Sequence, residues 1–339
     1  MKKKLLGILS MTLVLVMFLV GCGSKTTQES NNESGTSEGG LKVGLVVAGG
    51  LGDRSFYDSS NEGLKMAIEK LGATGKVLEC KNDATLYTDQ LIQASNISDV
   101  VVVVGFEFYD VIQEVAKEFP NKKYIYIDNV IEGVDNIACI DYKENEGSFL
   151  AGALAAMKTE TGKIGMVGGM DIPVIRNFQV GYEAGAKYVN KDIKVETIFA
   201  GDFEDPAKGK ESALALYSKG VDIIFQVAGK TGEGVFEAAK DSNKFAIGVD
   251  SDQRYINPDN IMASMVKGVD LSIFESLQKI QNNEFEAGKV YEYGAKENGV
   301  SMSYGTDDMV KLVDDETKAK IDDLTKKIIA GEIEVPEAK

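Results

Sequence analysis

Histidine is absent from the 339 residues, which removes the commonest general base and the commonest transition-metal ligand together. Cysteine occurs three times, too rarely for a disulfide framework, so Cys80 and Cys139 are expected to pack as small apolar residues. Basic residues are in deficit, 37 Lys+Arg against 53 Asp+Glu, for a formal charge of −16. Binding to nucleic acid rests on neutralising phosphates, so this balance argues against a nucleic-acid partner. Proline is also scarce, with five in the chain. Pro206, Pro258 and Pro336 fall at turns or ends rather than inside strand patterns. Together these deficits weigh against an enzyme, and nothing in the sequence calls for a cofactor or a metal.

What is present begins with Lys2, Lys3 and Lys4, followed by an apolar run from Leu5 to Val20. That layout is the one of an export signal. The run is short for a membrane span, which needs about 20 residues. It ends in Leu19-Val20-Gly21-Cys22, which resembles a bacterial lipobox, with cleavage before Cys22 and lipid on the new N-terminal cysteine. Residues 23–40 are Gly, Ser, Thr, Asn, Gln and Glu with a single Lys and no aromatic, too polar to bury anything. The expectation is a flexible tether holding an extracytoplasmic protein to the cell membrane through lipid. The remaining chain, of about 300 residues, exceeds what one hydrophobic core usually supports, so two lobes are expected.

The globular part alternates short apolar runs with helical stripes. Val43–Val47, Val100–Val104, Tyr124–Ile127, Ile164–Val167, Ile223–Val227 and Ala246–Val249 are apolar on nearly every residue, as strands buried between helix layers must be. Leu64, Ala67, Ile68 and Leu71 form a helical stripe, as do Val111, Ile112, Val115 and Phe119. Strands alternating with helices mean parallel sheets with crossover helices, an α/β chain. The rhythm runs from Lys42 to Cys139, passes through a helical segment at 144–157, and restarts at Lys163. No Pro- or Ser-rich linker separates the two sets. We therefore expect lobes of 41–143 with 268–289, and 144–267 with 290–339.

In open parallel sheets, ligands bind beyond the carboxyl ends of the strands. The segments there are Ser55-Phe56-Tyr57-Asp58, Phe106 to Asp110 with Phe108 at the centre, Asp128-Asn129, Met170 to Phe178, Phe203 to Asp205, Ala228 to Thr231 and Asp250 to Gln253. They are rich in aromatic rings and carboxylates. Rings stack on flat ligands and carboxylates accept hydrogen bonds from hydroxyls. Two stacked rings supply ~2 to 6 kcal/mol. Micromolar binding needs about 8 kcal/mol, so polar contacts must provide the rest.

Seven motifs resemble the basic membrane protein family of lipoproteins, substrate-binding proteins of ABC importers that include purine-nucleoside binders. They are GGLGDRSFYDSSNEGL (49–64), ENEGSFLAGALAAM (144–157), GMVGGMDIPVIRNFQVGYEAG (165–185), GDFEDPAKGKE (201–211), VAGKTGEGVFEAAK (227–240), AIGVDSDQ (246–253) and MASMVKGVD (262–270). The resemblance implies the type I periplasmic-binding-protein fold, with two Rossmann-like lobes, a hinge and an interlobe cleft, and an ABC permease as partner. By position, Phe56 and Phe203 would sandwich a ring, Asp250 would hold ribose hydroxyls, Lys267 would add a donor, and Gly229 would let backbone amides approach. Arg176 and Asp128 sit in loops that touch ligands in this fold.

Three positions depart from the nucleoside binders of that family. Val47 and Tyr57 stand where an Asp and an Asn usually serve the base, and Lys230 replaces a small residue. A purine would lose two polar partners, at ~1 to 3 kcal/mol each. Asp58 or Asp110 could read the base instead. The function expected is transport of a nucleoside, with riboflavin or another flat ligand as the alternative. A nucleoside hydrolase would need carboxylates converging on a calcium ion, and the first loop offers only Asp53. A surface sensor or adhesin could use the acidic helix near 307–330, although its mixed Lys and Asp read first as a solvated exterior.

Overall fold

The valine-rich runs form the centre of two six-stranded sheets. The structure, a computed structural model, describes residues 40–338. The expected leader, Cys22 and all of the tether but Gly40 lie outside them. The first sheet is built from β1 (Lys42–Val47), β2 (Thr74–Glu79), β3 (Val100–Val104), β4 (Lys123–Ile127), β5 (Ile137–Tyr142) and β11 (Val290–Tyr293), in the order β11-β5-β4-β3-β1-β2. Every neighbouring pair is parallel. The second comprises β6 (Lys163–Gly168), β7 (Lys194–Phe199), β8 (Ile223–Val227), β9 (Phe245–Asp250), β10 (Ile261–Lys267) and β12 (Val300–Ser303), in the order β12-β10-β9-β8-β6-β7. Only β12 runs antiparallel to its neighbour.

Both faces of each sheet are covered, which explains the unbroken apolar strands. In the first lobe, Val43, Leu45, Val102 and Val104 pack with Ile273 and Leu277 of α8 (Val269–Gln281). Val46, Val101 and Val103 pack on the other face with Ile112 and Val115 of α3 (Tyr109–Glu118). The second sheet is covered by α4 (Glu144–Lys158), α5 (Pro173–Val189) and α9 (Asp315–Ile329) on one face. On its other face lie α6 (Pro206–Ser218) and α7 (Gly232–Asp241). Cys80 and Cys139 are free and buried.

The chain passes between lobes three times, from β5 to α4, from β10 to α8 and from β11 to β12. Helix α8 packs on α1 (Phe56–Leu71), where a Cβ on Gly63 would stand 2.7 Å from the carbonyl oxygen of Asp270. Strand β11 extends the first sheet beside β5, with Val290 opposite Cys139. Val290–Tyr293 therefore lies with the first lobe, whereas the expected boundary at 289 puts it in the second. Its four residues are too short and too mixed to announce a strand.

Helix α4 is buried along most of its length because glycines let it touch α5 backbone to backbone. A Cβ on Gly185 would fall onto the carbonyl oxygen of Phe149, and one on Gly152 onto that of Tyr182. Neither neighbour is a side chain that could turn away. Overpacking of this kind typically costs ~1 to 3 kcal/mol and occasionally more. Gly185→Val should lower stability by about 3 kcal/mol, read as a lower urea midpoint of unfolding.

Candidate ligand-binding cleft

Strand order reverses between β1 and β3 in the first sheet and between β6 and β8 in the second. At such a switch point the loops leaving the strands diverge and open a crevice. Here the two crevices face each other. They enclose a cavity of about 690 Å³, its open mouth included, lined from the first lobe by Asp53, Phe56, Tyr57, Phe106, Glu107 and Asp128. From the second lobe come Phe178, Phe203, Gly229, Asp250 and Lys267.

The first loop holds Phe56 and Tyr57 in place. The Asp53 carboxylate accepts from the backbone N–H groups of Ser55 at 3.1 Å, Tyr57 at 2.9 Å and Asp58 at 3.0 Å. It thus satisfies free donors at the start of α1. Burial pushes its carboxyl up to about 7, against those three donors, which pull the other way. Asp58 accepts from Gly52 N–H at 2.8 Å and Arg54 N–H at 2.9 Å, so it closes the loop on itself.

At one end of the cavity the Lys267 ammonium, 2 % exposed, meets Asp128 at 2.7 Å and Glu144 at 3.8 Å. It lies 4.9 Å from the Phe56 ring centre and 5.5 Å from that of Phe178. Burial alone would push the ammonium down, but Asp128, Glu144 and Asp250 together hold it above its ordinary value. Glu144 is pushed far up by burial and by neighbouring Asp128, although Asn177 donates to it at 2.9 Å. Asp250 is raised by burial and accepts from the Ser55 hydroxyl of the opposite lobe. It adopts a positive φ of 65°. One oxygen of Asp128 is buried without a protein partner.

At the other end stand Glu107, Glu204 and Lys230, with Phe106 and Phe203 meeting across the lobes at 6.5 Å between ring centres and 57° between ring planes. Gly229 takes a φ of 54°, and a Cβ there would stand 3.3 Å from the carbonyl oxygen of Phe203. The lobes also touch along one rim. The Arg54 carbonyl accepts from Ser251 Oγ and Gln253 Nε2, each at 3.0 Å. Arg54 Nε lies 3.6 Å from Glu233.

Of the residues expected at the site, Phe56, Asp128, Phe203, Gly229, Asp250 and Lys267 meet on this cavity. Three do not line it. Asp58 is occupied in its own loop. Phe108 is fully buried in the first lobe's core, its ring centre 5.1 Å from that of Tyr87, because the tight turn Phe106–Phe108 sends its first two side chains to the cleft and the third inward. Arg176 points away, forked onto Asp171 at 2.5 and 2.6 Å and lying over the Phe199 ring at 4.6 Å. Sequence reasoning passed over Glu144 and Glu204 as individual site residues. Glu144 opens a helix with no strand before it in its lobe, so the strand-end rule gave no signal. Glu204 lay inside a segment already chosen for Phe203. Among the described residues, no group of three or more carboxylate or thiol side chains is arranged to hold a metal ion.

Replacing the Lys267 ammonium would leave three carboxyl groups without a cation, and breaking a buried pair in this way costs ~3 to 5 kcal/mol. Lys267→Met should therefore be several kcal/mol less stable at pH 7, with part of the loss recovered at pH 5 as Glu144 and Asp250, both raised by burial, take up protons. In the wild type the lysine contribution is fully present below pH 10.5, the ordinary lysine value, and is lost only as pH rises past its raised folded value. Urea unfolding of both proteins across this range checks the sign.

The family described as ABC transporter substrate-binding protein PnrA-like matches residues 41–339. Basic membrane protein A of Borreliella burgdorferi is 37% identical over 305 residues, covering 88% of each chain. The ABC transporter nucleoside-binding protein BmpA of Lactococcus lactis subsp. cremoris is 34% identical over 359 residues, covering 99% of each. Among solved structures, an ABC transporter solute-binding protein from Aeropyrum pernix K1 superposes with a TM-score of 0.79 at 28% identity, covering 88% of this chain and 94% of that one. The two-lobed type I binding-protein fold implied by the motifs is the fold observed. The chain belongs to the Bmp family of ABC transporter substrate-binding proteins.

Proposed function

We propose that the protein is a lipid-anchored extracytoplasmic receptor that captures a nucleoside between its lobes and presents it to an ABC permease. The observation that carries this reading is the division of the cavity. Aromatic rings (Phe56, Phe106, Phe178, Phe203) suit a flat base, and the Asp128, Asp250 and Lys267 group offers both acceptors and a donor to ribose hydroxyls. The relative from Lactococcus lactis carries nucleoside binding in its name. Anchoring rests on the Lys2–Lys4, apolar run and Cys22 pattern, and among the described residues no helix is long and apolar enough to cross a membrane.

Capture works by hinge closure. The three crossings act as the hinge between a first lobe of 41–143 with 268–293 and a second lobe made of the rest. A ligand touching Phe56 on one side and Phe203 with Asp250 on the other favours the closed form in which all three meet it. The permease would read that closed form.

Thermal unfolding of the chain from residue 23 onward, with nucleosides, free bases, riboflavin and sugars, tests the ligand class. A nucleoside at 100 times its dissociation constant should add ~2.7 kcal/mol of stability. A shift with riboflavin alone would assign the site to the flavin alternative. Asp250→Asn keeps a residue that tolerates the positive φ and removes only the charge. It should weaken nucleoside binding at least tenfold in calorimetry, and an unchanged affinity would remove Asp250 from the site.

A further inference from the structure

Glu107 carries an unmet hydrogen-bonding capacity at the end of the cleft away from Lys267. Its side chain lines the cavity, yet Oε2 is buried and has no partner in the protein. A buried acceptor in that state costs free energy unless something supplies a donor. The backbone does not relieve it: Gly105 has a φ of 128°, and a Cβ there would stand 2.6 Å from this oxygen, so only glycine leaves the carboxyl its position.

The neighbours favour a donor rather than another acceptor. Glu204 faces it from the second lobe, and burial and then, secondarily, Glu204 push the Glu107 carboxyl up. Tyr57 lies close to both, its phenol driven far up by burial and then by Glu107, Asp53 and Glu204. Glu204 is itself partly matched by Lys230 at 4.0 Å. Asp53 is satisfied by three backbone N–H groups. Glu107 is the carboxylate here that the protein leaves to the ligand.

We propose that Glu107 determines specificity by accepting a hydrogen bond from an N–H group on the edge of the ligand's ring, so that the receptor selects amino-bearing or N–H-bearing nucleosides. This rests on the nucleoside reading above and sharpens it. The ring rests against Phe203, with Phe106 tilted 57° to it across the lobes; these rings select flatness alone, and Glu107 supplies the discrimination among flat rings.

The test compares adenosine and guanosine with purine riboside, which has the same bicycle and sugar but no N–H donor on the ring. Calorimetry on the wild type should show at least tenfold tighter binding of adenosine or guanosine. Glu107→Gln should reduce that preference to less than threefold, by weakening the donor-bearing ligands and leaving purine riboside within twofold. Equal losses for all three ligands, or no loss, would overturn the assignment. The wild-type preference is read without any variant, so a variant that does not fold leaves the proposal open to refutation. Binding of all three with equal affinity refutes this inference and leaves the nucleoside reading standing. Binding of none refutes both.

Discussion

The ammonium of Lys267 organises the centre of the molecule. It is the last residue of β10, immediately before one crossing, and its partner Glu144 is the first residue of α4, immediately after another. Asp128, at the end of β4, joins them from the first lobe. The charge balance of these groups is therefore tied to the geometry of the hinge. A cation this deeply buried would lose its charge without carboxylates around it, and the carboxylates would lose theirs without it. The spare oxygen on Asp128 leaves the group one hydrogen bond short.

The rest of the cleft follows from that anchor. With polar groups clustered at its two ends, the walls between them are apolar: Ile172, Val174, Ile175, Val227 and Val249. Such walls exclude water and strengthen each polar contact. Loop residues around the mouth are satisfied by one another, Asp58 within its loop and Arg176 on Asp171, and so stay out of the cavity. Contacts between Arg54 and Ser251, Gln253 and Glu233 close one rim without involving the lining.

Much of the architecture is legible in the amino-acid order because it depends on local pattern. The valine runs at 43–47 and 100–104 need only be apolar on both faces to become central strands, and each of the six runs lies in a strand. Helix α4 covers the predicted segment within one residue. The C-terminal helix begins at Asp315 rather than near 307, because Asp314 caps it through Thr317 N–H. Strand β11 escaped notice because its place beside β5 is set by a long-range pairing that four mixed residues do not encode.

The amino-acid sequence by itself determined the α/β class, the family and the neighbourhoods from which ligand contacts are drawn, since strand ends and motifs are features of the chain in one dimension. Only the tertiary structure decided which residue in each neighbourhood faces the cleft. Phe106 and Glu107 do and Phe108 does not, because a tight turn rotates successive side chains to different sides. Lys267, Asp128 and Glu144 are distant in sequence, and their charges are coupled only once two sheets bring them within 4 Å. Glu107's unpartnered oxygen likewise exists only as a property of the folded cavity.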